Sequence, residues 1–184
     1  MAGWGEADQA SHSLAEPADA GLAVCSVLAL SELERRTPGE LEEAAYRQLR
    51  DHTAAEEARL PSRPLAGGIA RRVVLAVLSD WGLHQQLEAG ELLTGELVAN
   101  AVRHAGGRTV GLRMVRRPGW VRVEVRDSSR ALPCLIMSAE PLHETGHGLR
   151  VVSEVSDRWG ADLLPRGKGV WFELKVRERV VGGG

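Results

Sequence analysis

Glu96, Asn100 and His104 recur at four-residue intervals in ELLTGELVANAVRH, residues 91–104, a spacing that puts them on one face of a helix. A carboxylate and a carboxamide one turn apart can serve a hydrated metal ion and a hydroxyl together. Asn supplies a hard oxygen ligand, and Glu can orient or deprotonate a hydroxyl or a water. Leu93, Leu97 and Ala101 form an apolar stripe beside them, so the helix has one seam to bury and one face free for chemistry. Taken alone, the same pattern also describes the wet side of an ordinary surface helix.

Three further stretches have chemical potential. Asp127 ends VRVEVRDSS; a carboxylate at a strand end can accept a hydrogen bond from an exocyclic amine such as adenine's, and an Asp before Ser-Ser also serves as a turn or cap residue. Thr145-Gly146-His147-Gly148-Leu149 opens a helix. Glycines there let the backbone approach a phosphate, while free N–H groups and the helix dipole favour anions; the plainer reading is flexibility before a helix. Gly167-Lys168-Gly169-Val170-Trp171-Phe172 leads into a strand, as a glycine-flanked approach to a site or as a tight turn.

These residues need a frame. A polar helix is expected from about Glu40 to Leu60, with Pro38 in its first turn and Leu41, Ala45, Leu49 and His52 on one side, packed on the core or on a second subunit. Leu60-Pro61-Ser62-Arg63-Pro64 breaks the pattern and marks a boundary. A second helix runs from Ala66 to Trp81, ended by Gly82, and the organising helix is closed by Gly106-Gly107. Period-two alternation then gives strands through Val110-Leu112-Met114, Val121-Val123-Val125 and Val170-Phe172-Leu174. A turn at 116–119 joins the first two, a long loop covers 130–147 and a third helix covers 148–159. Each strand has one apolar and one polar face, which implies an α/β (α+β) two-layer sandwich with a largely antiparallel, mixed sheet and helices on one side.

The totals set bounds. With 184 residues, 43% hydrophobic and 26% charged, the chain is long enough for one domain with a core plus an appendage. A net charge of −2 argues against direct nucleic-acid binding by bulk electrostatics. The two cysteines, Cys25 and Cys134, outline neither a disulfide framework nor a zinc site. No run approaches the ~20 apolar residues of a membrane span, and the amino terminus lacks a basic export signal. The expected location is the cytoplasm. Residues 1 to about 20 are expected to be disordered.

In combination the motifs are far more specific than singly. E-x-x-x-N on a helix, D-x-S at a strand end, G-x-G-L opening a helix and then GKGVWFEL resemble the GHKL ATP-binding superfamily. WGL, ELVANAVRHA, VRVEVRDSS and DRWG narrow this to single-domain regulators related to the bacterial anti-sigma factor serine/threonine kinases. The resemblance covers about residues 60–177. It implies a Bergerat ATP-binding fold over 61–177, an amino-terminal extension over 1–60 and a flexible tail over 178–184. It further implies ATP and Mg²⁺ as cofactors, with Glu96 as general base, Asn100 as Mg²⁺ ligand and Asp127 as acceptor for the adenine amine. Residues 130–147 would be the ATP lid, with Gly146 and Gly148 closing it over the phosphates. Ser129, His147, Leu149 and Gly169 flank these positions in the implied nucleotide site, and His104 would pack or lie near phosphate. Ser128-Ser129 stand where the wider superfamily has glycines, and Gly169 where a Thr often supports adenine. The implied partner is a protein, either an anti-sigma antagonist or a sigma factor, and a homodimer is expected on the same ground.

Three rivals arise. His143-Glu144-Thr145-Gly146-His147 matches the zinc-protease string H-E-x-x-H, but Pro141, Gly146 and Gly148 oppose the stable helix that this chemistry needs. A sensor histidine kinase uses the same fold, yet residues 31–38 hold no phosphoacceptor His. A non-catalytic module that sequesters a partner differs from a kinase in one observable, transfer of the γ-phosphate.

Overall fold

The computed structural model describes residues 30–51, 56–104, 108–131 and 147–176. In chain order the elements are α1 (Leu30–Arg35), α2 (Pro38–Leu49), β1 (Ala58–Pro61), α3 (Leu65–Asp80), α4 (Leu87–His104), β2 (Thr109–Arg117), β3 (Trp120–Asp127), α5 (His147–Val155), β4 (Arg158–Leu164) and β5 (Gly167–Lys175), with a 3₁₀ turn at His84–Gln86 before α4. The strands form one sheet in the order β1-β2-β3-β5-β4. Every pairing in it is antiparallel, so the described sheet is purely antiparallel rather than mixed.

The two faces of the sheet follow from the alternation. Val110, Leu112, Met114, Val121, Val123, Val125, Val170, Phe172 and Leu174 are all buried, and α3 and α4 pack against this side. The opposite side carries charge. Glu124 accepts from Arg126 at 2.6 Å and from Arg113 at 3.3 Å, and Arg126 also reaches Glu57 at 3.1 Å. Burial pulls the Arg126 pKa down, but hydrogen bonding and charge from Glu124 and Glu57 outweigh it and leave it above the ordinary arginine value. Arg122 pairs with Glu173 at 2.7 Å and stacks over Trp171 at 3.9 Å.

Local chemistry explains the chain reversals. At the end of α3, Leu83 N–H donates to the Leu78 carbonyl at 2.8 Å and Gly82 N–H to that of Ser79 at 2.9 Å, with Gly82 at φ +70°. This is a Schellman stop, closed by the buried Leu78 and Leu83. Pro118-Gly119 turns β2 into β3, with Gly119 at φ +75°, the geometry a Pro-Gly turn provides.

Two strands escape the sequence pattern. The helix expected over 40–60 stops at Leu49, and Ala58–Pro61 forms the edge strand β1, lying across the boundary drawn at 60. Ala58 and Leu60 are buried and Arg59 is exposed, but four residues ending in Pro61 are too short to reveal a period in the sequence, and an edge strand tolerates that proline. The helix expected over 148–159 ends at Val155, and Arg158–Leu164 is β4. This second edge strand has exposed and half-buried residues and none that is fully buried. Its Gly160 makes room for Trp171: a Cβ there would lie 2.5 Å from the indole ring. The polar helix α2 packs on α3 of its own chain. It buries Leu41, Ala45 and Leu49, Arg72 pairs with Glu42 at 2.6 Å, Tyr46 hydrogen-bonds Asp80, and Trp81 Nε1 donates to the Arg50 carbonyl at 2.8 Å.

Candidate functional site

The site is built on α4. The helix buries Leu93, Leu97, Val98 and Ala101 and closes on α3 at Gly90, where a Cβ would lie 2.6 Å from Leu78 Cδ1. That packing fixes the rotation of the helix. It leaves Glu96 and Asn100 half-buried, one turn apart on the face their spacing predicts. His104 is the last residue of α4.

The amino end of α5 meets Glu96. A Cβ on Gly148 would lie 2.6 Å from Glu96 Oε2 and 3.7 Å from Glu96 Cβ, so glycine is what allows the backbone this close. His147 opens α5, and Leu149 and Val152 are buried, anchoring the helix on α4. A helix amino terminus presents unpaired N–H groups and favours negative charge. The arrangement therefore sets a carboxylate, a carboxamide and an anion-favouring helix end side by side. Gly146, the 132–146 part of the expected lid, and the His143–Gly146 part of the protease-like string lie outside the described residues.

Asp127 forms the second corner. It ends β3, buried at 7% exposure, opposite Lys168 of β5. Its Oδ1 accepts the Ser129 N–H at 2.7 Å and the Lys168 ammonium at 3.2 Å. The turn role is present, since the bond to Ser129 is the local Asx turn, and it leaves Oδ2 for another donor. Gly167 has φ +101°, and a Cβ there would overlap the Asp127 carbonyl oxygen, so the β4–β5 turn sits directly against this corner.

Gly169 is not brought to Asp127. It pairs with Arg126, and a Cβ on it would lie 2.5 Å from Glu124 Oε1, on the charged face of the sheet. The side chain that meets Asp127 belongs to the preceding residue, Lys168. The sequence contained the signal: the alternation that buries Val170, Phe172 and Leu174 also places position 168 on their side and 169 on the other.

The model for the histidine kinase-like ATPase domain matches residues 60–174. The chain belongs to this family, within the GHKL superfamily, whose domains bind ATP, generally with Mg²⁺. No curated protein matches the chain at a significant level. The residues present fit those groups. Mg²⁺ takes one or two protein oxygens and completes its shell with phosphates and waters, which is what a single carboxamide such as Asn100 can serve. Among the described residues no three His, Cys, Asp or Glu gather into a metal cage. Among those residues, too, no helix is long and apolar enough to cross a membrane.

Proposed function

We propose that this ATP-binding domain is a protein serine/threonine kinase of the anti-sigma-factor type, a switch that phosphorylates a small antagonist protein and thereby alters which partner it holds. The observation that carries the reading is the approach of Gly148 to Glu96, with a virtual Cβ 2.6 Å from Oε2. A carboxylate one turn from Asn100 thus lies against a helix end suited to phosphate.

Bound Mg-ATP would supply the γ-phosphoryl group and the metal that neutralises its charge. Asn100 would hold the metal. Glu96 would orient the acceptor Ser or Thr hydroxyl and take its proton as the hydroxyl oxygen bonds to phosphorus and the bond to the β–γ bridging oxygen breaks. Asp127 Oδ2 would accept from the exocyclic amine of the base. Such transfer depends mainly on positioning and charge neutralisation, so a half-buried constellation held by α4, α5 and β3 suits it.

Calorimetric titration with ATP, with and without Mg²⁺, tests the site, and γ-phosphate transfer to the antagonist tests the chemistry. Asn100→Ala should abolish Mg-dependent binding; unchanged affinity would refute the metal assignment. Glu96→Ala should abolish transfer and largely spare binding. Transfer at the parent rate would remove Glu96 as the base, and tight binding with no transfer by the parent protein would leave a partner-sequestering module.

A further inference from the structure

Lys168 has no part in the phosphoryl chemistry, yet it is among the most unusual residues in the molecule. Its side chain is 6% exposed, and lysine is rarely buried without a purpose or a pairing. It pairs with Asp127 Oδ1 at 3.2 Å, and among the described residues that is the partner its ammonium has. An ammonium carries three donors, so two N–H groups remain beside the carboxylate. Asp127 Oδ1 already takes two donors, Lys168 Nζ and the Ser129 N–H, which fixes the carboxylate and leaves Oδ2 as its remaining acceptor. The strand register makes this arrangement rigid, since Asp127 and Lys168 are direct cross-strand partners on the helix-facing side.

The pair therefore presents an acceptor and a charged donor next to each other. The Watson–Crick edge of adenine offers the complement: an exocyclic amine that donates, and a ring nitrogen, N1, that accepts. We propose that Lys168 is a specificity-determining residue of the nucleotide site. Its ammonium would donate to N1 of a 6-aminopurine while Asp127 Oδ2 accepts from the amine. This inference rests on the nucleotide reading given above and adds a direct reader of N1, at a position occupied by a residue already tied to the carboxylate.

The test compares ATP with 1-deaza-ATP, which keeps the amine and lacks the N1 acceptor, by calorimetry on the full chain and on Lys168→Met. A hydrogen bond to a charged donor predicts that the parent prefers ATP by about 10- to 100-fold, and that Lys168→Met binds the two ligands alike. Equal binding of both ligands by the parent overturns the proposal while the ATP site stands. Discrimination that persists in Lys168→Met overturns it as well, since another donor must then read N1. Binding of neither ligand by the parent overturns the nucleotide reading and this inference with it. Should Lys168→Met fail to fold, Lys168→Gln replaces it under the same criteria, and equal binding of the two ligands by the parent still overturns the proposal.

Discussion

Asp127→Ala is the sharpest perturbation of this fold. The substitution removes the carboxylate and strands the Lys168 ammonium, whose side chain is 6% exposed. Removing one member of a buried ion pair costs about 3–5 kcal/mol, because the remaining charge keeps its desolvation penalty and loses its compensation. About 1 kcal/mol of that is the lost bond from the Ser129 N–H. Domains of this kind are stable by only about 5–15 kcal/mol, so the loss should lower the melting temperature by roughly 6–20 °C. The double variant Asp127→Ala/Lys168→Met removes both charges. It should recover about 2–4 kcal/mol of the loss, leaving a deficit of about 1 kcal/mol at the Ser129 turn. Urea unfolding followed by tryptophan fluorescence at neutral pH, without nucleotide, measures all three proteins. The reasoning fails if Asp127→Ala lies within about 1 kcal/mol of the parent, or if the double variant is no more stable than the single.

Three further outcomes are expected. Gly148→Ala puts a Cβ 2.6 Å from the present position of Glu96 Oε2, so it should slow the proposed phosphate transfer by displacing the proposed base while costing less than about 1 kcal/mol of stability, because the displaced atom ends a flexible side chain; in a Glu96→Ala background its stability cost should vanish, and additive costs in a double-mutant cycle would show that the two residues do not touch. Thr94 is fully buried in α4 and its hydroxyl has no hydrogen-bond partner among the described residues, so Thr94→Val should raise stability in urea by about 1 kcal/mol; a loss would reveal a partner for the hydroxyl. Thr37 caps α2 and holds the Glu40 carboxylate below its ordinary value of 4.5 through backbone and side-chain hydrogen bonds. That contribution is present above pH 4.5 and is lost as pH falls through the lowered folded value. Thr37→Ala keeps the backbone bond to Glu40 and loses the hydroxyl's, so it should cost about 1 kcal/mol near neutrality and less in acid, and a cost independent of pH between neutrality and pH 2 would show that the Thr37 hydroxyl does not donate to the Glu40 carboxylate.

What was legible in the sequence is what local physics dictates. The four-residue spacing of Glu96 and Asn100 requires them to share a face of any helix that forms. Gly82 and Pro118-Gly119 require turns wherever the flanking segments are regular. The alternation through Val121, Val123 and Val125 requires one buried face, and it announces a sheet with helices on one side. Strands β1 and β4 were illegible for the complementary reason. Both lie at edges of the sheet: β1 buries Ala58 and Leu60, but four residues are too few for a period to show, and β4 buries none of its residues, so no alternation is imposed on Arg158–Leu164.

The site divides along the same line. By itself the sequence determined which residue types were available, Glu96, Asn100, Asp127 and the glycines, and on which helix face or strand end each must sit, because those are properties of 3.6- and 2-residue periods. Only the tertiary structure decided which of them meet. The packing of α5 on α4 brings Gly148 to Glu96, although 51 residues separate them in the chain. The β3–β5 register turns Gly169 toward Glu124 and sets Lys168 against Asp127. A shift of one residue in that register would exchange the two faces and dissolve the pair, since successive side chains of a strand point in opposite directions. Contacts across such distances arise from the burial of the whole apolar face, to which no local segment has access.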